Sequence, residues 1–151
     1  IGLVWAGRKT HKNDINRSMR FSSFKSLIEK TNANFFSLQI NRTIQTKNMR
    51  NPIVDLKEHL TDFASTAKII QSLDLLISVD TAIAHLAGAM GLPCWILLPF
   101  APDWRWQLGS NRSIWYPSIR IFRQSQPGNW ETVLELLHVE LGKLCLLHQS
   151  T

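Results

Sequence analysis

"DLLISVDTAIAHLAGAMGLPCWILLP", residues 74–99, is the stretch of sequence that decides the fold. It is almost wholly apolar, and residues 81–102 contain no Asp, Glu, Lys or Arg and have the length of a membrane span. Gly91–Pro93 interrupts that segment, however, and a Gly-x-Pro sequence ends helices. We therefore predict a strand over residues 75–79, a helix over 81–90 and a second strand over 94–98, with no membrane span. Strand–helix–strand order of this kind favours a parallel sheet.

The same alternation continues on both sides of this stretch. Apolar runs predict strands over residues 2–6 and 35–39 and a short strand in "SIRIFRQ", residues 118–124. Helical spacing of apolar residues predicts helices in "FSSFKSLIEKT" and "NWETVLELLHVELGKLCLL", whereas the polar segments 8–20 and 41–52 are predicted loops. The predicted fold class is α/β, a Rossmann-like three-layer α/β/α domain whose parallel sheet is covered by helices on both faces.

One further helix is predicted in "LTDFASTAKIIQSL", with Thr61 or Asp62 at its start, and in "FSSFKSLIEKT" the candidate N-cap is Ser22 or Ser23. The apolar stripe of the helix that follows Asp62 is expected to face the sheet. Its members are Phe63, Ala67, Ile70 and Leu73.

Length and composition indicate one globular domain over residues 1–151. The chain has 151 residues, of which 44% are hydrophobic and 19% charged, a balance typical of a folded domain with one core. It opens on "IGLVWAG" without an initiator methionine, so we expect a fragment of a longer chain. Cys94 and Cys145 both lie in apolar surroundings, which predicts reduced, slowly reacting thiols and a cytoplasmic protein.

The net charge of +6 is concentrated at one end of the chain. Residues 1–50 hold ten Lys and Arg against two acidic residues, whereas residues 51–151 hold seven against nine. The basic third is either a field for an anionic ligand or a solvated surface. It has no aromatic-interleaved or helix-turn-helix pattern, so nucleic acid is not a predicted partner.

Three polar residues interrupt the apolar stretch where its first strand meets its helix. In α/β sheets ligands bind at the carboxyl ends of strands, and a helix N-terminus there attracts phosphate. One of Asp80 and Thr81 can cap the helix and the other contact a ligand, and His85 lies about one turn further on. The alternative is ordinary capping together with a core histidine.

Three blocks of the sequence resemble the heptosyltransferase-like glycosyltransferases. "DLLISVDTAIAHLAGAMGLPCWILLP" is similar to their D-T-x-x-x-H-L-A-(A/G)-A segment, and the similarity extends to "IGLVWAGRKTHKNDINRSM" and "PDWRWQLGSNRSIWYPSIRIFRQ". The closer resemblance is to glycosyltransferase domains that follow tetratricopeptide repeats in bacterial proteins. It implies the C-terminal, donor-binding half of a GT-B enzyme, in which two Rossmann-like domains face each other across a cleft.

The resemblance also implies an activity. Enzymes of this kind transfer a sugar from a nucleotide-diphospho-sugar, here to an unidentified glycan, lipid or protein acceptor, with no metal and no cofactor beyond the donor substrate. The isolated domain is expected to be inactive without its N-terminal half. No D-x-D pair or zinc-ligand spacing occurs in the chain. The alternative is a non-catalytic binding module derived from the same fold.

By resemblance, Lys12 and His85 are the catalytic candidates, with Lys12 as the cation that offsets leaving-group charge in place of a metal. Asp80 and Thr81 match the donor-binding motif, and Ala82 replaces a glycine that is usual in heptosyltransferases.

The Trp-rich loop allows two interpretations. Trp104 can stack on a base or sugar while Arg105 pairs with phosphate, or the tryptophans pack on the sheet edge and Asp103–Arg105 is a surface pair. We assign Trp104 and Arg105 to donor binding, and Trp106 and Trp115 to packing.

Overall fold

The computed structural model describes residues 1–40, 42, 44 and 49–149. Residues 148 and 149 are described by their backbone alone. Its described strands form one sheet, and every neighbouring pair runs parallel, as predicted. In chain order they are β1 (Gly2–Val4), β2 (Phe36–Ser37), β3 (Val54–Asp55), β4 (Leu76–Val79), β5 (Cys94–Leu98) and β6 (Ile119–Arg123).

The spatial order is β3-β2-β1-β4-β5-β6. The order reverses between β1 and β4, which pair with Gly2 opposite Leu76 and Val4 opposite Ser78. In open α/β sheets such a reversal leaves a crevice at the carboxyl ends of the two strands, and ligands bind there.

Helices cover both faces of the sheet. They are α1 (Asp14–Arg17), α2 (Lys25–Lys30), α3 (Phe63–Gln71), α4 (Ala82–Ala89) and α5 (Glu131–Gln149). Successive residues of a strand point to opposite faces, so Leu3 and Val4 of β1 belong to two separate core clusters. Leu27 of α2 and Leu137 of α5 pack in the cluster with Leu3, whereas Ile83 of α4 packs in the cluster with Val4. The three-layer α/β/α prediction is confirmed.

The predicted break in the long apolar stretch is a helix C-cap at Gly91. The N–H of Gly91 donates to the carbonyl of Gly88 at 3.1 Å, and the N–H of Leu92 donates to that of Ala87 at 3.0 Å, the pair of bonds of a Schellman motif. Gly91 has φ 70°, a conformation that glycine adopts without strain. None of the helices in the described ranges is long and apolar enough to cross a membrane.

Several local predictions are wrong. The predicted loop 8–20 contains helix α1, and residues 41, 43 and 45–48 of the predicted loop 41–52 lie outside the described residues. Strand β3, whose Val54 is half exposed at the sheet edge, was not predicted. A two-residue edge strand has no periodicity that a sequence could show. Ser22 and Ser23 lie inside a 3-10 turn, Phe21–Phe24, and cap no helix. Asp62 is the cap of α3, accepting from the Ser65 N–H at 2.7 Å.

Phe63, predicted to face the sheet, is 64% exposed, while Ile70 of the same stripe is buried. Phe63 is the first residue of α3, and it borders the cleft described below.

Gly88 allows α4 to approach the neighbouring loop. A Cβ built there would collide with the Tyr116 ring and with Ile119, whereas one on Gly142 of α5 would meet no atom within 4 Å. We expect Gly88→Ala to lower the free energy of unfolding by about 1–3 kcal/mol, because overpacking forces the neighbours apart. Gly142→Ala is the matched control and should raise it by about 0.5–1 kcal/mol. Urea unfolding followed by circular dichroism measures both, and equal effects would contradict the packing.

The two thiols should react at different rates. Cys94 is fully buried, and burial raises the pKa of its thiol far above the ordinary value, so little thiolate forms and little is accessible. Cys145 is only half buried on α5, so the prediction of two equally protected thiols is refined. With a chromogenic disulfide reagent we expect one equivalent to react before unfolding and the second only in denaturant. Fast reaction of two equivalents in the native protein would contradict the buried position of Cys94.

Candidate functional site

A cleft of about 920 Å³ lies at the crevice between β1 and β4. The loop after β1 forms one wall and the N-terminus of α4 another, and the segment before α3 closes the far side. Of the residues predicted for the site, Asp80, Thr81, His85 and Arg105 line it. Three arginines border the same space, namely Arg8, Arg17 and Arg105.

Thr81 is the N-cap residue of α4 by position and conformation, with φ −142° and ψ 165°. Its side chain makes no capping bond, and its hydroxyl instead lies 3.0 Å from the Ser78 hydroxyl. Within the described part of the chain, no side chain caps the first turn of α4. The backbone N–H groups of that turn therefore open onto the cleft, with the positive end of the helix dipole behind them.

Asp80 and His85 form a pair beneath this turn. Nε2 of His85 lies 3.4 Å from a carboxylate oxygen of Asp80, and Nδ1 lies 3.2 Å from the Tyr116 hydroxyl. Because a carboxylate only accepts, Nε2 carries a proton, and in the neutral ring Nδ1 accepts from Tyr116. The imidazole also stacks on the buried Trp106 ring, with centroids 5.1 Å apart. Both ring nitrogens of His85 thus have protein partners.

These contacts fix the charge of Asp80, which is 8% exposed. Burial alone would raise the pKa of its carboxyl, but hydrogen bonding from His85 and Trp106 and the charges of His85 and Arg17 outweigh that effect. The pKa of Asp80 therefore lies below its ordinary value. The indole N–H of Trp106 approaches the carboxylate more loosely than a full hydrogen bond requires.

Arg17 is the site residue that the sequence did not single out. Its guanidinium donates to the backbone carbonyl of Asp80 at 2.9 Å and so bridges the carboxyl-terminal ends of β1 and β4. A Cβ on Gly7 would collide with that guanidinium. The absence of a side chain at Gly7 therefore leaves room for the Arg17 side chain to pass the loop that follows β1, called the β1 loop below. The only sequence signal was membership of the basic segment "RKTHKNDINRSMR", which does not distinguish one cation from the next.

The β1 loop that carries these groups is fastened at two points. The buried Gln39 side chain accepts from the N–H groups of Trp5 and Ala6 at 3.2 and 3.0 Å and donates to the Ala6 carbonyl at 2.9 Å. The Ser18 hydroxyl accepts from the Gly7 N–H at 2.9 Å and donates to Asp14 at 2.6 Å. The loop backbone is therefore held in place before any ligand binds.

The other predicted residues lie outside this cleft or at its rim. Lys12 borders a separate, more open hollow with Lys9 and Arg42, so its predicted catalytic role stays a prediction. Arg105 pairs with Asp103 at 2.8 Å. Trp104 is 75% exposed and does not line the cleft.

Of the two tryptophans assigned to packing, Trp106 is buried as predicted. Trp115 is 56% exposed and lies edge-on to the ring of Trp104, so its assignment to packing on the sheet is wrong.

The charged groups of this cleft are suited to holding an anion. Arginines and free N–H groups face one space, and Asp80 is already compensated by its own partners. Among the described residues no group of three or more His, Cys, Asp or Glu could hold a metal ion. By fold and site, the domain is an α/β domain with a basic ligand cleft at its topological switch point.

Comparison with protein families gives this site a context. Residues 26–97 match the family model described as glycosyltransferase family 9 (heptosyltransferase). The match contains Asp80, Thr81 and His85, and it ends before Trp104 and Arg105. It supports the resemblance to heptosyltransferase-like proteins.

A curated relative extends the similarity along the chain. Protein FlbA of Caulobacter vibrioides is 29% identical over 147 residues, which cover 89% of this chain and 23% of that protein. The chain thus spans about a quarter of the relative's length. No solved structure matches the chain.

The low pKa of Asp80 gives a pH-dependent stability. A carboxyl whose pKa is lowered by folding stabilises the fold above its ordinary value of 3.8, and the contribution is lost as pH falls through the lower folded value. At pH 7 we expect Asp80→Asn to cost about 1–3 kcal/mol of unfolding free energy, the scale of a charge-assisted hydrogen bond. The difference from the parent should shrink below about pH 4. Urea unfolding at several pH values measures it, and a pH-independent difference would show that charge is not the cause.

Proposed function

We propose that this chain is the donor-binding half of a GT-B glycosyltransferase that takes a sugar from a nucleotide-diphospho-sugar. The observation that carries the proposal is the arginine-lined cleft over the uncapped N-terminus of α4. A diphosphate has the charge and the acceptor oxygens that such a cleft would bind. The family match over the same helix supports glycosyl transfer as the use of that binding.

Each group has a distinct part in this proposal. The first-turn N–H groups of α4 and the Thr81 hydroxyl hold phosphate oxygens, and Arg17 faces them from α1. Arg105 reaches the same charge from the rim of the cleft. These cations stabilise the leaving diphosphate by electrostatics, the task that a metal ion performs in other transferases.

His85 acts in this proposal through Asp80. By donating from Nε2 it keeps the carboxylate turned away from the anionic ligand and charged within the wall. Neither Lys12 nor Trp104 lines the cleft. Each would contact bound donor only if the loop that carries it closes over the donor. Loop closure over a bound ligand is common in transferases.

The acceptor and the facing domain belong to the wider proposal. The chain covers 23% of its curated relative, which leaves room for an N-terminal half and for tetratricopeptide repeats in a longer bacterial, cytoplasmic protein. Without a facing domain, bound donor would lack the acceptor and its base, so the isolated domain should bind donor and not turn it over. A non-catalytic module would bind donor too, and would show no turnover even within the longer protein.

Donor binding is tested by calorimetry with UDP-, GDP- and ADP-sugars. We expect Arg17→Ala to weaken binding of the preferred donor about ten- to a hundredfold, since a lost charge-assisted hydrogen bond costs about 1.5–3 kcal/mol. Arg50→Ala is the matched control, because Arg50 is exposed and does not line the cleft. Its affinity should match that of the parent.

The same titrations decide the predicted role of Lys12. A loss for Lys12→Ala as large as that for Arg17→Ala would confirm Lys12 as a donor contact, and unchanged affinity would remove it from the site. If no sugar nucleotide binds the folded parent at millimolar concentration, or if Arg17→Ala and Arg50→Ala behave alike, the proposed use of the cleft is wrong.

A further inference from the structure

A second cleft, of about 580 Å³, lies on the other side of α1. Arg17 of α1 borders the arginine-lined cleft, whereas Ile15 and Asn16 of the same helix border this one. The loop after β5, with Phe100, and the segment after β6, with Trp130, form the opposite wall. The two clefts therefore share α1 as a partition at the carboxyl edge of the sheet.

Gln124 is the polar side chain that this cleft leaves incomplete. It lines the cleft and is 3% exposed. Its Oε1 accepts from the N–H groups of Phe100 at 3.1 Å and Gly128 at 3.2 Å, which fixes the amide's orientation. Its Nε2 has no hydrogen-bond partner within the described part of the chain. A buried donor without a partner is costly, so such groups call for an explanation, and a bound acceptor atom supplies one.

The remaining lining defines the kind of ligand that fits. Among the described residues that line it, the one charged side chain is that of Arg20, which is exposed, and the other polar groups besides Gln124 are the amides of Asn13 and Asn16 and the hydroxyls of serines. Phe100 and Trp130 add aromatic surface. A lining of neutral donors and acceptors with aromatic faces suits a ligand that has many hydroxyl groups and apolar C–H faces.

We propose that this second cleft binds a neutral saccharide, with Gln124 Nε2 donating to one of its oxygens and Phe100 packing against its ring. The assignment of that saccharide to the transfer reaction rests on the proposed function, whereas the site itself does not. The sugar is either a free acceptor saccharide or the sugar of a donor whose diphosphate occupies the first cleft. Both sources present the same hydroxyl-rich chemistry.

The test is a ¹H–¹⁵N NMR titration of the chain with methyl glycosides of glucose, galactose, mannose and N-acetylglucosamine at millimolar concentration. We expect at least one of them to shift the Gln124 side-chain amide and the backbone amides of Phe100 and Gly128, with saturation. UDP, GDP and ADP without a sugar should leave these signals in place. Failure of all four glycosides to move them, or shifts confined to the first cleft, would overturn the proposal.

Two exposed phenylalanines provide matched variants. Phe100→Ala removes a wall of the second cleft and leaves the backbone N–H that holds Gln124, and Phe63→Ala removes a wall of the first. We expect Phe100→Ala to weaken glycoside binding about fivefold or more, by loss of apolar contact, and Phe63→Ala to leave it unchanged. Equal effects of the two variants on glycoside binding would contradict the assignment.

Sugar nucleotides then separate the two sources. If they shift Gln124 and compete with the glycoside, the cleft holds the donor's sugar, and if both bind together it holds an acceptor. If a glycoside binds and no nucleotide or sugar nucleotide does, the proposed function is wrong and the saccharide site stands. If nucleotides bind but neither glycosides nor sugar nucleotides shift the Gln124 signal, the saccharide site is wrong and the proposed function stands.

Discussion

The pairing of β1 with β4 is the constraint on which the rest of this domain depends. The two strands lie side by side in the sheet although some seventy residues of sequence separate their paired positions. Because β1 and β4 run parallel, the loop after β1 and the helix after β4 both begin at the carboxyl edge of the sheet. Arg17 then joins them by donating to the Asp80 carbonyl. Without that register, the basic N-terminal segment and the α4 N-terminus would not share a cleft.

Polar groups at this edge fall into two kinds. Some, such as Gln39 and the Asp80–His85–Tyr116 chain, are satisfied by protein partners and fix the walls. Others have no partner within the described part of the chain, among them the first-turn N–H groups of α4 on one side of α1 and Nε2 of Gln124 on the other. Satisfied networks give rigidity and open groups give affinity, so a ligand that bound at this edge would meet walls that are already held in place.

The contrast between the two clefts is electrostatic. Among the described lining residues, the first cleft has three arginines, whereas the second has one exposed arginine and is otherwise neutral. A substrate with a charged diphosphate at one end and a neutral sugar at the other would need one basic and one neutral binding surface side by side. The four residues of α1 separate the two environments, with Arg17 turned to one and Ile15 to the other.

The sequence alone determined the parallel sheet, the helix between β4 and β5, and the break at Gly91, because hydrophobic periodicity and Gly-x-Pro chemistry are local signals. It also located Asp80, Thr81 and His85 at a strand-to-helix turn. It could not tell which cation of the polar segment borders the cleft with Asp80, which in the structure is Arg17 and not Lys12, since neighbouring cations in such a segment carry no pattern. Nor could it foresee β3, the partners of His85 or the second cleft. Those depend on which distant segments the β1–β4 pairing brings together, and that choice belongs to the tertiary structure.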